Sequence, residues 1–300
     1  MAEPLRVGVV PKSTANPYFV SCQQGAEEAA AELGVDLLWD GPDSDDAARQ
    51  ARVVEALAAR GAAVIAVSAI ARSLSPSLRT LRRRGVKVLT WDADADPAAR
   101  DFFVTQATPG GIAQALAFEA ARILLGRGEL AILTTSQESS NQRLWLERMQ
   151  ERLREAYPEL RVGAILQTPD EEESAREATV ELLRSHPELG VVVCLFAPGV
   201  PGVARAVKAS GSVARVMGLS TPDACRDGIA DGSIESVVTW STVDLGYLTV
   251  QAAAALATGT LAADSHSLRA GRLGTIMIRG DEVRLGRPHI VNRASLADFL

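Results

Sequence analysis

Short apolar runs alternate with longer amphipathic stretches along almost the whole chain. Residues 7–10 (Val-Gly-Val-Val) have strand length and stop at Pro11, which has no N–H to give to a ladder. A polar loop follows. Pro17 then opens an Ala/Glu-rich helical pattern over residues 18–33, closed by Gly34. The same strand-then-helix unit repeats: strands at 35–39, 63–67 and 86–91, helices at 47–60 and 74–84, and a short strand at 102–104. The turn at 41–46 caps the second helix.

A second block repeats the alternation. It predicts helices over 110–125, 142–156, 171–185, 200–209, 222–230 and 243–257, and strands over 129–134, 162–167, 191–195, 213–219 and 236–239. The tail differs, with extended pieces at 275–278 and 282–285 suited to antiparallel pairing and a hairpin turn at Gly280-Asp281. Repeated βαβ units imply parallel sheets with helices on both faces. The fold class expected is therefore α/β, with two Rossmann-like lobes. One lobe comprises residues 1–106 plus 243–270 and the other 107–242 plus 271–300, joined by a three-crossing hinge with a ligand cleft between them.

Composition narrows the function classes. The chain has 300 residues, 47% hydrophobic, enough for packed cores. Its net charge of −6 argues against a nucleic-acid or anionic-membrane binder, which needs clustered cations. Arg82-Arg83-Arg84 is the one sharp basic cluster; ahead of Gly85 it reads as a solvated helix C-terminus. Cys22, Cys194 and Cys225 match no zinc or redox spacing and read as buried, inert thiols. His186, His266 and His289 are scattered, so neither a metal site nor a triad emerges, and no cofactor is implied. Gly110-Gly111 belongs to no P-loop or G-x-G-x-x-G. No run reaches the ~18 apolar residues of a membrane span. Met1-Ala2-Glu3-Pro4 leads straight into the first strand, which fits either a cytosolic protein or one whose export leader has been replaced by a start Met.

Candidate chemistry gathers at strand ends, where open α/β sheets bind ligands. Lys12 and Asn16 follow the first strand, beside the aromatic pair Tyr18 and Phe19. Lys12 offers donors, Asn16 both a donor and an acceptor, and the rings an apolar wall; a solvated Lys and a helix staple are the plainer alternatives. Asp92 and Asp94 follow the strand ending at Trp91 and can accept hydroxyls or cap a turn. In the second block the candidates are Asn141, Gln142 and Trp145 at a helix start, then Leu195, Phe196 and Ala197, and finally Trp240. Asn141 also fits an N-cap, and the aromatics fit core positions. Two carboxylates at i and i+2 in one loop do not make the separated pair of a glycosidase, so an enzyme is not expected.

Together these residues carry a resemblance. Val-Val-Pro-Lys12, Asn16-Pro-Tyr-Phe, Trp-Asp92-Ala-Asp94, Asn141-Gln142 with Trp145, Val243-Asp-Leu-Gly-Tyr247 and the ending Ile290-Val-Asn-Arg occur in this order over nearly the whole chain. The chain resembles the type I periplasmic sugar-binding proteins, within them the rhamnose- and autoinducer-2-binding branch. The resemblance implies a non-enzymatic, monomeric solute receptor of an ABC importer, with a sugar ligand, a membrane permease as partner and no nucleic acid. It also implies an extracytoplasmic place, in the periplasm or lipid-anchored at the cell surface, with the export signal missing from this chain. Lys12, Asp92, Gln142 and Ala197 match positions that hold autoinducer-2 in that branch. Asn141 stands where the autoinducer receptors have an aspartate, and Leu195 where they have a proline. The Asn-Gln form is more similar to the rhamnose receptors and favours a neutral deoxysugar or related polyol. The alternative is the effector core of a sugar-responsive transcription regulator, which would need a helix-turn-helix ahead of the first strand.

Overall fold

In a computed structural model, residues 4–44 and 46–299 are described. The lead from Met1-Ala2-Glu3 into the first strand, and Asp45 of the expected turn, lie outside the described residues. The chain folds into two compact units. Unit 1 runs to Ala107 and also takes Glu138–Asn141 and Ser241–Gly286; unit 2 takes Thr108–Gln137, Gln142–Trp240 and the chain from Arg287.

Unit 1 begins with β1 (Arg6–Val10), α1 (Pro17–Leu33), β2 (Asp36–Trp39), α2 (Ala47–Ala59), β3 (Val64–Val67), α3 (Ser75–Arg83), β4 (Lys87–Trp91) and β5 (Phe102–Thr105). Next come α4 (Pro109–Ile123), β6 (Gly128–Thr134), α5 (Ser140–Ala156), β7 (Leu160–Gln167), α6 (Glu172–Ser185), β8 (Val191–Cys194), α7 (Gly199–Ser210), β9 (Arg215–Leu219), α8 (Pro222–Asp231) and β10 (Ser236–Thr239). The chain then forms α9 (Thr242–Thr258), β11 (Ser267–Arg269), β12 (Thr275–Arg279), β13 (Glu282–Arg284) and β14 (His289–Asn292).

Among the described residues, unit 1 holds an eight-stranded sheet in the order β11-β12-β13-β5-β4-β3-β1-β2, and unit 2 a six-stranded sheet in the order β14-β10-β9-β8-β6-β7. The strands from β2 to β13 across the first sheet pair in parallel; β11, β12 and β14 add antiparallel edges. This is the α/β fold the alternation predicts. Its inner parallel strands are buried apolar runs, β3 and β8 at every residue, whereas the edge strands β2 and β7 are only partly buried. One expected boundary is corrected. Residues 271–286 belong to unit 1, because β13 extends the first sheet by parallel pairing of Glu282–Arg284 with Phe103–Thr105. The hairpin forms as expected, with Gly280 at φ 63 in the turn joining β12 to β13. β11 and β14 are three- and four-residue edge strands, too short to announce themselves by alternation.

Two glycines bring α1 and α9 close together. A Cβ on Gly25 would lie 1.8 Å from the carbonyl oxygen of Val243, and one on Gly246 equally close to that of Cys22. The approach lets Ser21 and Thr242 share a hydroxyl hydrogen bond of 2.6 Å near the starts of the two helices. In unit 2, Gly202 of α7 plays the same part: its Cβ would lie 2.1 Å from the carbonyl oxygen of Glu172, at the start of α6. The core of unit 2 includes Leu133, Val192, Phe196, Val203 and Val237. In unit 1 one core face is built from Val10, Leu57, Ile65, Leu78 and Val88.

Candidate functional site

In each sheet the strand order reverses once next to the first strand of the unit, between β1 and β3 in unit 1 and between β6 and β8 in unit 2. At such a reversal the connections leave in opposite directions and open a crevice at the carboxyl ends of the strands. Lys12 and Asn16 follow β1, Asn141 and Gln142 open the helix after β6, and Leu195 to Ala197 follow β8, at these two points; Asp92 and Asp94 follow β4, and Trp240 follows β10.

In unit 1, Pro11 ends β1 and delivers Lys12 to the strand end. Asn16 then caps α1: its side-chain oxygen accepts from the Tyr18 N–H at 3.0 Å, and Pro17 occupies the first turn. Behind the crevice, the buried Gln50 of α2 donates to the carbonyl oxygens of Pro11 (3.0 Å) and Ser68 (2.8 Å) and accepts from the Ile70 N–H. It thereby ties together the loops after β1 and β3.

Asp92 follows β4 with φ at 59°, in the left-handed region that aspartate enters more readily than most residues. Its neighbours close a tight turn around it, the Ala93 N–H donating to the Trp91 carbonyl at 2.6 Å. A conformation of this kind costs about 1–3 kcal/mol and persists only where surrounding contacts hold it. Those contacts are present. The Tyr18 hydroxyl donates to Asp92 Oδ1 at 3.1 Å, Ser68 Oγ donates to Oδ2 at 2.7 Å, and Lys12 Nζ stands 3.9 Å from Oδ2. Lys12 also donates to Ser139 Oγ (2.8 Å) and Asn141 Oδ1 (3.2 Å), and Ser139 in turn donates to that same oxygen (2.6 Å). Lys12, Asp92, Ser139 and Asn141 are all buried. A buried pair of charges survives desolvation only with such added hydrogen bonds.

Asp94, two residues on, is differently employed. Its two oxygens accept Nε and Nη2 of Arg100, each at 2.8 Å, and the Thr90 hydroxyl donates to Oδ1. Arg100, whose side chain is 3% exposed, also pairs with Asp281 at 2.6 Å. Burial works against the Arg100 charge, but the hydrogen bonds and charges of Asp94 and Asp281 outweigh it and hold the guanidinium above its usual pKa. Asp94 thus anchors the buried Arg100. The Ser140 hydroxyl accepts from its N–H and donates to its carbonyl, each at 2.9 Å.

Phe19 is also accounted for by packing, its ring lying edge-on to Tyr18 (5.0 Å) and Trp91 (5.6 Å between centroids). The Cys22 thiol is pushed well up by burial and by the charge of Asp92.

In unit 2 the reversal is again bridged by a glutamine. Gln142 Oε1 accepts from the Thr134 hydroxyl at the end of β6, and Nε2 donates to the Leu195 carbonyl just past β8, both at 2.9 Å. Leu195 contributes this backbone oxygen while its side chain is fully buried. Trp145 on α5 and Trp240 after β10 are nearly buried and face each other, centroids 6.0 Å apart with planes tilted by 51°. Ala197 is half-buried, its carbonyl accepting from Ser220 at 3.0 Å. Phe196 packs in the core of unit 2. Asn141 lies inside the first turn of α5, which begins at Ser140, rather than capping it.

Among the described residues, no group of His, Cys, Asp and Glu is placed to hold a metal ion, and no helix is long and apolar enough to cross a membrane. Residues 7–261 match the family model described as "Periplasmic binding protein domain". The chain belongs to this family. Its members in ABC importers act outside the cytoplasm and bind solutes rather than catalyse reactions. A sugar ABC transporter structure from Actinomyces odontolyticus is 25% identical (TM-score 0.79; 99% of this chain and 97% of that one). An ABC transporter solute-binding protein from Clostridium phytofermentas with bound L-rhamnose is 24% identical (TM-score 0.93; 100% and 99% covered). LsrB from Clostridium saccharobutylicum in complex with AI-2 is 20% identical (TM-score 0.91; 99% and 100% covered). The last two likenesses establish that this periplasmic binding protein shares their fold.

Ser68, Gln50 and Ser139 were not among the residues the sequence singled out.

Proposed function

We propose that the protein is the solute receptor of a sugar ABC importer, working with a membrane permease and binding a neutral monosaccharide or related polyol such as a rhamnose-like deoxysugar. The observation that carries this reading is Asp92: a buried carboxylate in a left-handed backbone after β4, held by Tyr18 and by Lys12 and Ser68 from the loops after β1 and β3. Such a preset acceptor, next to a lysine and an amide, suits hydroxyl recognition without a net charge requirement. The residues proposed for hydroxyls are Lys12, Tyr18, Asp92, Asn141, Gln142 and the Ala197 backbone, and those proposed for apolar contact are Trp145 and Trp240.

The rhamnose-bound relative supports the sugar class, and the AI-2-bound relative makes AI-2 the natural comparison ligand. Asn141 favours the sugar, because an amide both donates and accepts where a carboxylate only accepts. A sugar of about a dozen heavy atoms at roughly 0.7 kcal/mol each gives about 8 kcal/mol, or about micromolar affinity.

Calorimetric titration with L-rhamnose, D-arabinose and AI-2 tests the proposal. A saturable 1:1 isotherm for a monosaccharide, lost in Asp92→Ala, is the expected result. Tight AI-2 binding with no monosaccharide binding would replace the ligand class, and binding unaffected by Asp92→Ala would remove the site.

A further inference from the structure

The basic cluster read from the sequence as a solvated helix end is part of something more structured. α3 carries Arg79, Arg82 and Arg83 and no acid; Arg84 follows it and Lys87 opens β4. Acids reach three of these cations from other segments: Asp96 pairs with Arg79 (2.9 Å), Asp101 with Arg82 (2.7 Å) and Glu55 with Arg84 (2.8 Å). The Arg83 guanidinium donates to the neutral Thr80 hydroxyl at 2.9 Å. Among the described residues, neither Arg83 nor Lys87 forms an ion pair. Both line, with Arg79, Arg82 and Asp101, a recess of about 460 Å³ around Gly85.

A helix C-terminus favours a cation by about 0.3–1 kcal/mol, an effect confined to the last turn. That accounts for Arg82 or Arg83, but not for Lys87 on a strand across the turn. Four cations share this recess in a chain of net charge −6, and two of them have no counter-charge. Like charges so placed repel one another unless an anion joins them.

We propose that this recess is a binding site for a phosphate-type oxyanion. The two uncompensated charges match the charge of roughly −1.5 to −2 on a phosphate monoester at neutral pH. The Arg83 fork suits two of its oxygens and the Lys87 ammonium a third. The recess falls in the size range of small-molecule sites and exceeds one phosphate group, so the phosphate belongs to a larger body. A free phosphorylated small molecule and a phospholipid headgroup share this chemistry.

The test uses the full chain at low ionic strength. Pyrophosphate and glycerol 3-phosphate are titrated by calorimetry, and the protein is co-sedimented with vesicles of phosphatidylglycerol and phosphatidylcholine or of phosphatidylcholine alone. The variant Arg83→Gln/Lys87→Gln changes two exposed side chains, and its monosaccharide titration controls for folding. We expect phosphate binding to weaken about tenfold or more in the variant and to fall with added salt, with monosaccharide binding unchanged. Binding to the free probes assigns a small molecule; binding only to the phosphatidylglycerol vesicles assigns a headgroup. Equal behaviour of wild type and variant toward every probe would overturn the proposal, as would tighter binding of an octaglutamate peptide than of either phosphate. A failure of the sugar reading would appear separately, as absent monosaccharide binding with phosphate binding intact.

Discussion

The two strand-order reversals are bridged alike and finished differently. In unit 1 the amide of Gln50 joins the loops after β1 and β3; in unit 2 the amide of Gln142 joins the ends of β6 and β8. On the first frame stands a charged cluster, with Asp92 and Lys12 held by Tyr18, Ser68, Ser139 and Asn141. Unit 2 has instead a neutral amide and a pair of indoles. An amide is a good brace because it both donates and accepts without the cost of burying a charge. A charge belongs where hydroxyls must be gripped, and indoles where the C–H face of a sugar must be covered. The same βα frame, braced by an amide in both units, thus carries a charged cluster in one and neutral, aromatic groups in the other.

Disrupting the frame should have the largest effect. Gly246→Ala places a Cβ against the Cys22 carbonyl, and Gly202→Ala places one against that of Glu172; neither backbone atom can move aside cheaply. Each substitution is expected to cost about 3 kcal/mol and lower Tm by roughly 5–10 °C in calorimetric melting. The two should differ in binding. Gly246→Ala disturbs the α1/α9 pair that carries Tyr18 and weakens the ligand, whereas Gly202→Ala leaves affinity unchanged.

The next contrast is within unit 1. Asp92→Ala should reduce sugar affinity by about a hundredfold, near 3 kcal/mol, because it removes a charged acceptor and strands Lys12. Asp94→Asn should do the reverse. It is expected to cost about 2 kcal/mol of stability by loosening the clasp on buried Arg100, with affinity changed less than about threefold. If Asp94→Asn abolished binding and Asp92→Ala did not, the roles given to the two carboxylates would have to be exchanged.

Gln142→Leu tests the brace in unit 2. Losing hydrogen bonds to Thr134 and the Leu195 carbonyl should cost roughly 1–3 kcal/mol of stability, read by urea unfolding. The smallest effect concerns the thiols. Burial pushes Cys225 up to about 11 and raises Cys22 and Cys194 as well. At pH 8 roughly a thousandth of Cys225 is thiolate, so iodoacetamide should leave the native protein unlabelled and modify all three thiols in denaturant.

Much of the frame was legible because strand ends are punctuated. Pro11 stops β1, Asn16-Pro17 starts α1, and Asp92 follows an apolar run, so these residues could be placed at strand ends from order alone. Ser68, Gln50 and Ser139 could not. Each acts through a neighbour brought in by sheet pairing or helix packing, and an isolated serine or glutamine carries no period. Phe19 and Phe196 show the opposite problem, since an aromatic beside a strand end looks the same whether it faces a ligand or the core. A carboxylate announces an acceptor but not which donor it meets, so the pairing of Asp94 with Arg100 was not legible. The tail was divided wrongly because β13 pairs with β5, far earlier in the chain, and three residues carry no record of such a partner.

Binding of a neutral monosaccharide through the preset carboxylate of Asp92 is what the proposed function requires. Titrating L-rhamnose and D-arabinose into the wild-type chain and into Asp92→Ala in a calorimeter tests it most directly. The wild type should bind at least one sugar 1:1 at about micromolar affinity, and the variant should lose about a hundredfold. Failure of either sugar to bind, or equal affinity in the two proteins, would contradict it.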